Sequence, residues 1–187
     1  METLQHNRQE LDLEQLVKGL KREDSRYLNL TNTSKWIMWV LAPFYFLIFI
    51  VGIVVDKPEI DKFGFLFFSL GFLAFALLFN SLYHEYNSIN YGVSTMEMLR
   101  NASDRYRLWQ PKTYLTIIPL ILCAIGFSLS AQKGFPFADQ TVRILVGFGS
   151  IFFVLSCSGL IGYLIWRKRQ KPLRDRSLAI LNEMNIN

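Results

Sequence analysis

Among 187 residues there are only two histidines and two cysteines, and four long blocks contain no Asp, Glu, Lys, Arg or His at all. Each absence removes a class of chemistry. His84-Glu85 opens like a zinc-protease helix, but the position four after His84 is Ser88. With His6 the only other histidine, a three-ligand zinc site is not expected. Cys123 and Cys157 form no Cys-x-x-Cys pair and read as small apolar packing residues at similar depth. Glycine-rich phosphate-binding patterns are missing too.

The charge-free blocks are 36–55, 63–83, 113–131 and 144–166. A helix crossing a bilayer needs roughly 20 predominantly apolar residues, so each block reads as a transmembrane span. Pumps, proton relays and voltage sensors keep their ionisable groups inside the membrane, and these spans hold none. Aspartyl intramembrane proteolysis lacks its two buried acids. Ser150 and Ser158 have glycine neighbours but no base at membrane depth. Asp56, Glu59 and Asp61 lie on a short loop and make a poor metal or phosphate cluster. No catalytic, cofactor-binding or metal-ligating residue is assigned. No cleavable leader is expected either, because the first 34 residues are polar and charged.

What the chain does have is a strongly uneven distribution of positive charge. Of 20 Lys and Arg residues, 16 fall in three places. The N-terminal arm holds Arg8, Lys18, Lys21, Arg22, Arg26 and Lys35; the middle segment holds Arg100, Arg105, Arg107 and Lys112; the tail holds Arg167, Lys168, Arg169, Lys171, Arg174 and Arg176. The positive-inside rule places all three in the cytoplasm, with the loops 56–62 and 132–143 outside. Orientation accounts for the basic excess without a nucleic-acid partner. Arg167, Lys168, Arg169 and Lys171, directly after the fourth block, are candidate contacts for anionic lipid headgroups. The sequons at Asn29, Asn32 and Asn101 fall on the cytoplasmic side and are chance matches.

The expected fold is all-α: a polytopic membrane protein with four transmembrane helices arranged as two hairpins, accompanied by amphipathic cytoplasmic helices. Residues 1–34 form an N-terminal arm, 35–166 the membrane domain with a cytoplasmic helical segment at 84–112, and 167–187 a basic tail. Leu13, Leu16, Val17 and Leu20 give the arm an amphipathic stripe that would lie on the membrane or on its own bundle. Phe65, Phe68, Phe72, Phe75 and Phe79 form a heptad packing seam, continued by Leu82, Tyr86 and Ile89, which predicts a helix running to Gly92. Ser94 and Glu97 have capping-box spacing, and Met98, Leu99, Ala102, Tyr106 and Trp109 mark one face of the helix that follows. Pro172 can open a last helix with Leu173, Ile180, Leu181 and Met184 on one stripe. Gly126 with Ser130, and Ser158 with Gly162, would let spans three and four approach closely. Arg26-Tyr27 with Pro43, and Arg105-Tyr106 with Pro119, hint at a parallel duplication; the prolines also read as kinks.

One polar cluster is expected at the inner mouth. Asn80, Ser81, His84 and Glu85 form two i, i+4 pairs that Arg105, Arg107 and Trp109 would close into a crevice, or that simply mark where the helix leaves lipid. The run Tyr86 to Gly92, followed by a helix ending Asp104-Arg-Tyr-Arg-Leu-Trp109, gives the layout its family likeness. It resembles uncharacterised four-span inner-membrane proteins of Bacteroidota-type bacteria. That resemblance implies a multi-pass inner-membrane protein and carries no implied activity; the positive-inside rule puts both termini in the cytoplasm.

The leading expectation is a non-enzymatic scaffold or regulatory protein that forms a homo-oligomer or binds another membrane or cytoplasmic protein through its cytoplasmic helices. Membrane lipids are its other partner. A small-solute transport or channel component formed by oligomerisation is the alternative, and a lipid-modifying enzyme ranks third.

Overall fold

A computed structural model describes residues 2–55, 59–108, 111–130 and 139–186. Among them the regular structure is entirely helical. In chain order the elements are α1 (Glu2–Val54), α2 (Glu59–Asn87), α3 (Thr95–Arg105), α4 (Pro111–Leu115), α5 (Ile117–Ser130) and α6 (Gln140–Ile165). A π-helical turn (Trp166–Gln170) follows, then α7 (Lys171–Ile186). Three helical stretches are long and apolar enough to cross a membrane: Leu11–Val54, Lys62–Asn87 and Gly149–Met184. Ile117–Ser130 is apolar but shorter.

Several element boundaries differ from the sequence expectation, and each has a local cause. Helix α1 does not stop between the amphipathic arm and the first apolar block, since no Gly or Pro occurs between Gly19 and Pro43 to interrupt it. It also continues through Pro43. Proline acts differently in the third block. Pro119 has no N–H for the carbonyl of Leu115, four residues back, and its ring crowds that carbonyl. The helix breaks there: α4 ends at Leu115 and α5 begins at Ile117, with Leu120 N donating to Thr116 O at 3.3 Å. Helix α2 ends at Asn87, before Gly92. Ser88 Oγ turns back to the Glu85 carbonyl at 3.0 Å, and the Gly92 amide donates to Asn90 Oδ1 at 2.8 Å, closing an Asx turn.

The chain divides into two compact units. The first comprises residues 1–30, 84–110 and 161–187. Its core is Leu16 and Leu20 of α1 with Met98, Leu99 and Ala102 of α3 and the cap residue Tyr106 that follows it, and Leu173, Ile180 and Leu181 of α7 pack against it. The three amphipathic stripes therefore bury one another. Leu13 and Val17 complete the arm's contribution, while Met184 stays exposed. Ser94 caps α3 as its spacing predicts, its hydroxyl accepting from the Glu97 amide at 3.4 Å.

The second unit comprises residues 31–83 and 111–160. Here helices meet at glycines. A Cβ on Gly126 of α5 would stand 2.9 Å from the Gly64 carbonyl and 3.0 Å from the Phe68 amide. One on Gly71 would stand 2.6 Å from Cys123 Sγ and 3.2 Å from the Cys123 amide. Gly126 thus serves contact between α2 and α5, not the expected contact between the third and fourth blocks, because the backbone of α2 fills the space beside it. At Gly162, which belongs to the first unit, nothing among the described residues lies within 4 Å of a Cβ built there. Cys123 is half-buried against Gly71 and Cys157 is exposed; both are free thiols. Tyr45 of α1 sits over the phenylalanine seam, 5.2 Å from both Phe68 and Phe72 and 6.5 Å from Phe65. Phe75 and Phe79 stack on each other at 6.1 Å. Ser69 Oγ fastens α2 to α1 by donating to the Ala42 carbonyl at 2.9 Å. Lys35 lies 4.0 Å from the Tyr83 ring centroid, the cation over the aromatic face.

Candidate functional site: a buried carboxylate in the first unit

The most concentrated polar chemistry in the described structure centres on Asp24, which is only 4% exposed. Its position follows from the periodicity that buries Leu16 and Leu20. Asp24 is the next step of four along that stripe, so helix geometry turns the carboxylate into the core. A buried charge is costly unless paired and hydrogen-bonded, and the unit supplies three donors. Arg105 Nη1 lies 3.1 Å from Oδ2, forming a buried ion pair. Tyr91 OH donates to the same oxygen. Tyr106 OH donates to Oδ1 at 2.7 Å. These donors come from the loop before α3 and from the C-terminal end of α3 and its cap residue, so one side chain of α1 fastens both ends of the α3 segment.

The ring continues outward. Trp166 Nε1 donates to the Tyr106 carbonyl at 2.9 Å, satisfying an acceptor at the C-terminus of α3. Gln170 donates its side-chain amide to Tyr27 OH, and Tyr27 stacks on Tyr86 with centroids 5.5 Å apart. Lys21 stands over the Tyr91 ring at 5.3 Å. Burial, and then the adjacent Asp24 carboxylate, push the Tyr91 and Tyr106 hydroxyls well above the usual tyrosine range. Both hydroxyls therefore remain protonated donors at neutral pH.

Chemically this arrangement is a clamp. A carboxylate offers about four acceptor positions, and three are occupied in a site closed off by Leu99, Ala102 and Tyr106. Among the described residues no group of three His, Cys, Asp or Glu side chains is arranged to hold a metal ion.

The residues singled out by sequence are distributed differently from the expected crevice. Arg105 turns inward to Asp24, because pairing with a buried carboxylate outweighs hydration of the guanidinium at the rim. Arg107 is exposed. Asn80 and Ser81 belong to the second unit, half-buried and exposed; His84 and Glu85 belong to the first, exposed and half-buried. Trp109 lies outside the described residues. Arg167, Lys168, Arg169 and Lys171 are all exposed. The two proposed half-repeats take unlike roles: Arg105 is paired and half-buried whereas Arg26 is exposed, and Pro119 is buried whereas Pro43 is exposed.

Sequence reasoning missed Asp24, Tyr91, Trp166 and Gln170. The signal for Asp24 was available: an acid falling on the apolar face of an amphipathic helix, where a leucine is the expected residue. The partners carried no comparable signal, since their roles depend on segments more than 60 residues apart, 67 for Tyr91, 81 for Arg105 and 82 for Tyr106. Set against models of protein families, against curated proteins and against solved structures, the chain matches none.

Proposed function

We propose that this chain is a four-span protein of the bacterial inner membrane, folded as two hairpins with both termini in the cytoplasm, that acts without catalysis as a scaffold or regulatory partner. The observation carrying this reading is the first unit. It is a folded helical module assembled from three separate stretches of chain, and the buried Asp24 is used for holding the first of those stretches to the second. A module so fastened presents a fixed outer surface, which is what a binding role requires and what turnover on a mobile acid does not.

Further support comes from the apolar helices. Helices α4 and α5 together cover residues 111–130, close to the length a span needs across the Pro119 break. The hydroxyl of Ser69, a residue that could line a solute path, is spent on the Ala42 carbonyl. Such internal bonding favours a packed platform over a transport route.

Two experiments test the proposal. Reporter fusions at either terminus should be active only on the cytoplasmic side; an external terminus would reject the orientation. Crosslinking in native membranes followed by purification in mild detergent should retain either a second copy or a distinct protein. A lone monomer would remove the scaffold reading.

A further inference from the structure

Between α6 and α7 the helix passes through the π-helical turn Trp166–Gln170. Such turns insert an extra residue into the helical phase and occur frequently at functional sites. Both ends of this one are fastened inward, Trp166 to the Tyr106 carbonyl and Gln170 to the Tyr27 hydroxyl. The three residues between them, Arg167, Lys168 and Arg169, are exposed, as is Lys171. Among the described residues none of these four side chains has an ion-pair or hydrogen-bond partner. There is no acid in the sequence from Trp166 to Lys171 to neutralise them.

The turn also continues directly from the apolar helix α6. Cations at the end of an apolar helix match a surface of anionic headgroups, where each basic side chain adds to the attraction. A soluble polyanion satisfies the charge but gives no reason for the apolar helix leading into it.

We propose that Arg167, Lys168, Arg169 and Lys171 dock on anionic phospholipid headgroups, and that this docking rigidifies the first unit through Trp166. The route is short. Trp166 is held by the carbonyl of Tyr106, the hydroxyl of Tyr106 is held by Asp24, and Asp24 holds Arg105 and Tyr91. Fixing the turn removes freedom from each group in turn, and whatever binds only the ordered form of a unit stabilises it. The bulk attraction of a basic tail becomes a lipid-dependent stiffening of the module proposed to bind partners. This inference rests on the reading of α6 as a membrane span.

The test is amide hydrogen exchange on the full chain in lipid nanodiscs, of phosphatidylcholine alone or with added phosphatidylglycerol. Elution with the discs reports the membrane assignment separately from the lipid effect. Anionic lipid is expected to slow exchange across residues 95–106 and 171–186 by about tenfold. The triple variant R167Q/K168Q/R169Q should show wild-type exchange in phosphatidylcholine, which verifies its fold, and no added protection from phosphatidylglycerol. Trp166→Phe keeps every charge but loses the bond to Tyr106. It should retain its preference for anionic discs while losing the lipid-dependent protection of 95–106. Equal exchange in the two lipids, full protection in the triple variant, or undiminished protection of 95–106 in Trp166→Phe would overturn the proposal. So would equal protection in phosphatidylcholine discs from inorganic phosphate or an RNA strand, which would assign the turn to a soluble anion.

Discussion

The two units hold their helices together by opposite means. The first buries leucines and aromatics around a carboxylate that accepts three hydrogen bonds, with Asp24 at the centre of donors from Tyr91, Arg105 and Tyr106. The second brings backbones close at Gly64, Gly71 and Gly126 and lays Tyr45 across Phe65, Phe68 and Phe72. The difference follows the solvent each is suited to. In water, burial of apolar area drives association, and a paired polar group can then fix which segments meet. In lipid the surroundings are as apolar as the side chains, so close packing of small residues and aromatic contact must supply the attraction. One unit is specified by a charge in an unusual place, the other by the absence of side chains at chosen places.

The comparison can be broken most severely at Asp24. Asp24→Ala removes the carboxylate that Arg105 pairs with and the acceptor of two tyrosines; losing one member of a buried pair typically costs about 3–5 kcal/mol. Limited proteolysis should open the first unit while the second, followed by exchange in 63–83, is unchanged. Equal protection of the first unit in the wild type and in Asp24→Ala would show that the clamp is not what holds the unit.

Gly126→Val should come next. Its side chain would meet the Gly64 carbonyl and the Phe68 amide, both backbone, which cannot rotate aside; overpacking of this kind costs roughly 1–3 kcal/mol. Gly162→Val, whose Cβ meets nothing within 4 Å, should leave thermal stability in detergent unchanged. A similar loss for both would remove the distinction between packed and open glycines.

Alkali should discriminate the units as well. Tyr91 and Tyr106 have pKa values raised above the ordinary 10.0 in the folded chain. Above pH 10 the unfolded tyrosines release protons that the folded ones retain, so the stability of the first unit, intact below that pH, falls as pH rises. Tyrosinate absorbance should show a late phase coincident with loss of protection in α3, and Tyr91→Phe should diminish it. A late phase of the same size in that variant would reject the assignment. The smallest effect is expected at Ser94→Ala, where loss of the α3 cap costs about 1 kcal/mol and should shift exchange only in the first turn of α3.

Legibility in the sequence divided along similar lines. The amphipathic stripes of the arm, of 98–106 and of the tail were readable because helical period alone selects a face, and Leu16, Leu20, Leu99 and Ala102 lie where it puts them. The Ser94 cap was readable because its bond spans three residues. Pro119 was expected to kink a span and instead separates α4 from α5, a matter of one missing donor. The pairing of Arg105 with Asp24 was not legible, since a surface arginine and one paired with a buried acid look the same in a linear sequence.

By itself the sequence determined that this chain is helical, that it has apolar stretches of membrane-spanning size, and which face of each amphipathic helix is apolar. Those properties are local: they depend on composition and on the 3.6-residue period. Only the tertiary structure decided that the three stripes bury one another, that Asp24 joins α1 to the segment around α3, and that Gly126 meets α2. Such choices depend on segments distant along the chain, and on whether a buried charge or a bare glycine finds a complementary group once the helices meet.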